Sequence, residues 1–279
     1  MIQWWQGIIL GIIQGATEFL PVSSSGHLAL VQNLFKNFHQ PGVLFDLLLH
    51  LATALAVVIY FKKELVGLLG RRQREKLMKN AEKLKPINKK LILVIFVSLL
   101  PTAIVGFSVK DIAEKCFEKP FAVGLFLIFT ALLLFLADFS AKRSSLQVEA
   151  DPGFGRGILI GLAQGLAVFP GISRSGATIS AGIFSGLRGD YSARFSFLLG
   201  VPAILGASFL ELIEKRNELA GIAESELSAY LLGMVSAFLV GYFCISLVFK
   251  VVRRVKLSWF GIYCLFLGAI VILTFWPGF

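Results

Sequence analysis

Six long apolar stretches alternate with polar, charge-bearing segments along this chain of 279 residues. Residues 43–61, 91–109, 121–139, 195–213, 229–249 and 257–276 each approach the roughly 20 apolar residues that a bilayer-crossing helix needs. Two further stretches are apolar but interrupted. Residues 11–27 read GIIQGATEFLPVSSSGH and residues 161–177 read GLAQGLAVFPGISRSGA. Each starts as an apolar helix and breaks into Pro, Gly and Ser. They align without a gap at an offset of 150 (161 minus 11), with Gly11/Gly161, Gln14/Gln164, Gly15/Gly165, Phe19/Phe169, Ser23/Ser173, Ser25/Ser175 and Gly26/Gly176 identical. The same offset pairs Phe45/Phe195, Leu48/Leu198, Leu49/Leu199 and Leu55/Leu205. A match rich in Gly, Ser and Gln is not a by-product of apolar composition, so the chain reads as two copies of one unit. The first copy occupies 1–140, a polar linker 141–156, and the second copy 157–279, all in a single membrane domain.

Composition agrees: 56% of residues are hydrophobic and only 16% charged, with mean hydropathy +0.79, which excludes an ordinary soluble domain. The net charge of +10 does not point to nucleic acid, because the basic residues cluster between apolar runs and no nucleic-acid-binding motif accompanies them. Cys116, Cys244 and Cys264 have no metal-ligand spacing, and the last two lie in apolar runs as small hydrophobes. The N-terminus MIQWWQGIIL lacks the basic region and small-residue site of a cleaved signal, and Trp4 and Trp5 suit a membrane interface.

Charge sets the orientation. Segment 62–90 carries eleven Lys and Arg against Glu64, Glu75 and Glu82, so it is expected inside. Counting crossings from there puts 141–156 inside. Segment 250–256, with Lys250, Arg253, Arg254 and Lys256, is also basic and inside. The net acidic segment 214–228 then falls outside, and 187–194, with Arg188 and Arg194, inside. The second interrupted stretch therefore starts and ends inside. It is expected to be a re-entrant hairpin, as is the first, entered from outside. Broken backbone of this kind is tolerated at membrane depth where protein or a watery cavity satisfies it. The expected fold is all-α: six transmembrane helices plus two re-entrant helix hairpins in an inverted-topology repeat, with both termini outside. Such repeats bring their broken helices together near the midplane.

The hairpins carry the chemistry. Glu18 is a carboxylate in an apolar run, one helical turn from Gln14, and such residues are functional candidates by default. The first hairpin adds Ser23, Ser24, Ser25 and His27; the second offers Gln164, Ser173, Arg174, Ser175 and Thr178. A guanidinium among glycine-flanked hydroxyls suits a phosphate group. Glu18 could hold a divalent cation or pair structurally with Arg174, and the serines could serve only to satisfy freed backbone. His27 could act as acid, base or nucleophile, and Ser24 could attack if His27 or Glu18 takes its proton. His39 reads as solvated, His50 as structural, and Asp46, Asp138 and Asp190 as interfacial or capping. There is no phosphate-binding loop of the ATP-driven kind, no H-E-x-x-H and no G-x-S-x-G. SSGH and SR occur also in lipid phosphatases of the phosphatidic-acid type, but no histidine follows Arg174 here, which excludes that class.

QGATEFLPVSSSGH and PGISRSGAT, in this order and spacing, together with FSFLLGVPAILGA at 195–207, resemble the bacterial undecaprenyl-diphosphate phosphatases of the bacitracin-resistance type over nearly the whole chain. The resemblance implies a multi-pass enzyme of the bacterial inner membrane that hydrolyses undecaprenyl diphosphate to undecaprenyl phosphate and inorganic phosphate, with its site facing the periplasm. It implies a requirement for Mg2+ or Ca2+ and leaves homodimer formation open; no nucleic-acid partner is expected. The family's acidic motif falls on Gln14 and Glu18, which leaves one carboxylate where two are common. Its serine and histidine fall on Ser24 and His27, and its PGxSRSxxT motif on Pro170, Gly171, Ser173, Arg174, Ser175 and Thr178. The implied roles are catalytic for Glu18, Ser24, His27 and Arg174. Substrate binding falls to Gln14, Ser23, Ser25, Ser173, Arg174, Ser175 and Thr178, and the cation to Glu18 and Gln14. The competing class is an inverted-repeat transporter or flippase of a polyprenyl phosphate lipid, which needs no nucleophile.

The orientation has a direct check. A single cysteine replacing Lys76 in a cysteine-free background should react with an impermeant maleimide only after the inner membrane is opened. Labelling from the outer side would overturn the orientation and the re-entrant reading derived from it.

Overall fold

The computed structural model describes residues 2–35, 44–66, 87–117, 119–143, 148, 150–214, 226–253 and 256–276. Among these the chain is helical, with one isolated bridge between Val148 and Leu187 and no strand. The helices, in order, are α1 (Trp4–Phe19), α2 (Ser24–Leu34), α3 (Leu44–Tyr60), α4 (Lys62–Val66), α5 (Lys89–Phe117), α6 (Pro120–Arg143), α7 (Phe154–Leu166), α8 (Arg174–Phe184), α9 (Gly189–Glu214), α10 (Leu227–Arg253) and α11 (Leu257–Thr274). Five of them, α5, α6, α9, α10 and α11, are long and apolar enough to cross a membrane, and α3 is apolar over a shorter 17 residues. Their outer faces are apolar as lipid requires: Phe96, Phe107, Phe209, Phe243 and Phe266 are all exposed. The chain is a multi-pass membrane protein.

The two interrupted stretches become two broken pairs, α1–α2 and α7–α8. Pro21 and Val22 lie in the first break and Pro170 and Gly171 in the second, where Gly171 takes φ +98, a left-handed value that favours glycine. Ser23 and Ser173 restart the chain as N-caps, their hydroxyls accepting from Gly26 N–H and Gly176 N–H. Two of the serines thus do satisfy freed backbone.

Helix partners are exchanged between the copies. α1 lies along α10, and α7 lies along α5. In each case a glycine stripe allows backbone to meet backbone. A Cβ on Gly7 or Gly11 would stand 2.2 Å from the carbonyl oxygen of Ala229 or Gly233, and one on Gly161 2.2 Å from that of Ser98. The last helices, α6 and α11, run antiparallel, with Gly124 beside Gly268 and Ile272 and Gly261 beside Phe135. Each break is braced by the last helix of the other copy. Thr130 of α6 donates to Gly171 O and accepts from Ser173 N–H (2.9 and 3.0 Å). Cys264 of α11 reaches Pro21 O at 3.7 Å.

Two segments differ from expectation. Residues 110–117 continue α5 as helix, because Lys110 pairs with Glu114 at i,i+4 and with Glu214 of α9, keeping its charge solvated while the backbone stays helical. Residues 189–194 belong to α9, and Arg194 is fully buried. It is paired with Glu64 (3.1 Å) and Asp151 (3.2 Å), and two carboxylates make burial of a guanidinium tolerable. Burial raises the Glu64 carboxyl above its ordinary value, and Asp151 acts in the same direction against Arg194. Asp46 and Asp190 lie in the first turns of α3 and α9, as expected. His39, most of 62–90 and 214–228, and parts of 33–42, 141–156 and 250–256 lie outside the described residues.

The glycine stripes yield a stability test. Alanine gains about 1 kcal/mol over glycine in helix propensity. At Gly11 backbone stands in the way, so overpacking of about 1–3 kcal/mol wins. Gly11→Ala should lower the apparent melting temperature in detergent by several degrees. Gly155→Ala, with nothing within 4 Å of its Cβ, should leave it unchanged or raised. Equal effects would contradict the close α1–α10 approach.

Candidate active site

The two breaks touch. Gly171 N–H donates to Ser23 Oγ at 3.1 Å, and Ser175 Oγ donates to Leu20 O at 3.1 Å. This places the starts of α2 and α8 side by side. A helix start presents unpaired N–H groups and the positive end of the helix dipole, so two together favour an anion.

At this junction Glu18 of α1 and Arg174 of α8 form a salt bridge through Oε1. The pair joins residues 156 positions apart and is the contact that unites the two motifs. Glu18 Oε2 accepts from Ser24 Oγ (2.7 Å) and from Gln14 Nε2 (2.9 Å). Glu18 is 5% exposed, whereas the Arg174 side chain keeps 18%, so the site opens on the arginine side. Arg174 Nη1 also donates to Ser196 O (3.3 Å) and packs flat on Gly200 of α9, where a Cβ would stand 1.9 Å away. Position 200 is the repeat counterpart of position 50, whose side chain also reaches the pair. His50 of α3 brings Nε2 to 3.7 Å from Glu18 Oε2. Its Nδ1 lies 2.7 Å from Asp46 O, a carbonyl that can only accept, so Nδ1 carries a proton and Nε2 is the ring nitrogen turned to the carboxylate. One repeat copy clears space for the guanidinium, and the other supplies an imidazole against its partner.

Of the residues singled out in the sequence, Gln14, Glu18, Ser24 and Arg174 are in direct contact. Ser25 Oγ lies 3.4 Å from Ser23 Oγ, and Ser175 Oγ 3.2 Å from Ser173 Oγ. Thr178 Oγ1 donates within α8 to Arg174 O (2.8 Å) and meets Ser196 Oγ at 2.6 Å, behind the arginine. His27 is engaged elsewhere. Nδ1 lies 2.7 Å from Ser23 O, and Nε2 lies 2.7 Å from Tyr263 Oη of α11, whose ring stacks on the imidazole at 5.6 Å and 10°. Sequence reasoning missed His50 and Tyr263. His50 is one turn after Asp46, which invited a structural reading. Tyr263 is one aromatic among many in an apolar run and carries no distinguishing signal.

A divalent cation is testable against the donors. Gln14 Oε1 is buried without a hydrogen-bond partner among the described residues, one turn before Glu18, which is a fit for a ligand oxygen. No three His, Cys, Asp or Glu side chains converge among the described residues. A cation here would need oxygens from the substrate, the usual situation for Mg2+ on a phosphate.

The family model described as bacitracin resistance protein BacA matches residues 7–270. Relatives named undecaprenyl-diphosphatase include that of Desulfosudis oleivorans, 43% identical over 98% of each chain. That of Treponema denticola is 40% identical over 98% of this chain and 97% of its own. That of Carboxydothermus hydrogenoformans is 38% identical over 96% of each.

Proposed function

The chain belongs to the bacitracin resistance protein BacA family, and we propose that its Glu18–Arg174 centre is where it hydrolyses undecaprenyl diphosphate to undecaprenyl phosphate and inorganic phosphate. The product is the lipid carrier for peptidoglycan and other wall polymers, and its recycling underlies bacitracin resistance in the family. The carrying observation is the single carboxylate shared by Arg174, Ser24 and Gln14 at the meeting of two helix starts.

Substrate phosphate competes with Glu18 for the guanidinium. As Arg174 turns to the diphosphate, bidentate contact replaces one ion pair by another. Glu18 is left with the Ser24 hydroxyl at 2.7 Å, so Glu18, rather than His27, takes its proton. Ser24 Oγ bonds to the terminal phosphorus as the bridging P–O bond breaks and undecaprenyl phosphate leaves. Water then attacks the phosphoserine. His27 takes the water's proton, Glu18 returns its proton to Ser24 Oγ, and inorganic phosphate departs. Phosphoryl transfer of this kind depends mainly on positioning and charge stabilisation, which Arg174 and the two helix starts supply. Mg2+ or Ca2+, held by Glu18 and Gln14 with His50 adjacent, would neutralise diphosphate charge. Ser23 and Ser173 act by holding the breaks; Ser25, Ser175 and Thr178 support the anion pocket around them.

The membrane arrangement follows the same reading. Residues 1–140 and 157–279 form inverted repeats joined by 141–156. α1–α2 and α7–α8 are re-entrant, the termini lie outside and the site faces the periplasm of the bacterial inner membrane. The antiparallel α6–α11 pair and the exchange of partners between copies support it.

Phosphate release from undecaprenyl diphosphate by detergent-purified protein with Mg2+ or Ca2+ tests the function. Arg174→Ala, Glu18→Gln and Ser24→Ala should each reduce turnover about 100-fold or more. Wild-type turnover in all three would sink the site, and no release by the wild type would sink the function. Gly200→Ala is a subtler probe. Its Cβ meets the flexible end of Arg174 rather than backbone, so the protein should fold normally while turnover falls about 10-fold. A Gly200→Ala enzyme as active as wild type would show that the guanidinium need not rest there.

A further inference from the structure

His27 is held at both ring nitrogens, and one of its two holders is a residue of the last helix. Ser23 O, a carbonyl, accepts from Nδ1–H. In the neutral ring, Nε2 therefore carries the lone pair, and the Tyr263 hydroxyl donates to it at 2.7 Å. The two rings are nearly parallel, so the phenol fixes the plane of the imidazole, whose tautomer Ser23 O has already set. α11 is itself pinned at this level: Cys264, the next residue, lies fully buried against Pro21 O, and Phe260 packs with Val22 and Ala131 around the same break. Tyr263 is 47% exposed while His27 is 9% exposed, so the tyrosine turns its apolar body outward and its hydroxyl inward. Nothing in the packing of α11 calls for that hydroxyl, because an apolar ring of the same size fills the same outward position.

We infer that Tyr263 carries the proton between the attacking water and His27 in the phosphatase reaction: its oxygen takes the water's proton as its own hydroxyl proton passes to His27 Nε2, where it is already hydrogen-bonded. Without the hydroxyl that path is lost, and the ring is held at Nδ1 alone, free to swing Nε2 away. The loss then falls on turnover, through His27 alone, and not on binding of the diphosphate by Arg174.

The turnover readout rests on the function proposed above; a second readout does not. Tyr263→Phe keeps the ring and removes the hydroxyl. In detergent with undecaprenyl diphosphate its kcat should fall about 10- to 100-fold with KM within about 2-fold of wild type. In a His27→Gln background, the same change should cost less than about 2-fold more, because the residue through which it acts is gone. An unchanged kcat, or an equal further loss in that background, would overturn the inference. The chain has three histidines, so 15N-histidine spectra are simple, and His27→Gln identifies the His27 signals. The Nε2 signal should move in Tyr263→Phe, with the Nδ1 signal little changed because Ser23 O still holds it. An unmoved Nε2 signal would overturn the pairing whether or not the wild type releases phosphate. Wild-type inactivity with a moved Nε2 signal would defeat the phosphatase function and leave the His27–Tyr263 pairing standing.

Discussion

A carboxylate and a guanidinium placed in an apolar chain each carry a desolvation cost of several kcal/mol, and only a close, well-bonded partner offsets it. Glu18 and Arg174 offset one another, with Ser24 and Gln14 donating to the remaining carboxylate oxygen. The two residues belong to different halves of the chain. Satisfying them therefore requires the two breaks to meet, which fixes where α2 and α8 begin relative to one another. An incoming phosphate can take the place of Glu18 on the guanidinium, and the freed carboxylate keeps its hydrogen bonds from Ser24 and Gln14.

Close approach of helices makes that meeting possible. Glycine stripes on α1 and α7 let each lie on a helix of the opposite copy at backbone distance. In lipid, helices gain little from hydrophobic association and depend on such packing and on interhelical hydrogen bonds. Thr130 and Cys264 supply polar contacts at the breaks themselves, where backbone would otherwise be unsatisfied. Bracing across copies ties the two halves into one domain around the site.

The readable parts of the sequence were those with a local physical signature. Breaks after Phe19 and before Arg174 were visible as Pro, Gly and Ser inside apolar runs, and the N-caps Ser23 and Ser173 fell at identical repeat positions. The one acid and the one arginine of the two interrupted stretches stood out because charge is rare in such surroundings. Arg194 was misjudged for a related reason. A basic residue beside an apolar run reads as a loop marker, and the carboxylates of Glu64 and Asp151 that permit its burial come from elsewhere in the chain. The apolar stretch 91–109 likewise understated its helix, which runs from Lys89 to Phe117.

Pattern and composition alone determined that this chain spans a membrane, and they marked two stretches that match at a constant offset, with Gln14, Glu18, Ser24, His27 and Arg174 as the candidates for its chemistry, because each of these rests on residue type and spacing. The tertiary structure decided the partnerships. It set Ser24 on Glu18 and His27 on Tyr263, and it brought His50 to the carboxylate and Gly200 to the guanidinium. Those choices depend on distances of 2.7–3.7 Å between residues up to 236 positions apart, and periodicity along one helix says which face a side chain occupies but not which atom of another helix it meets.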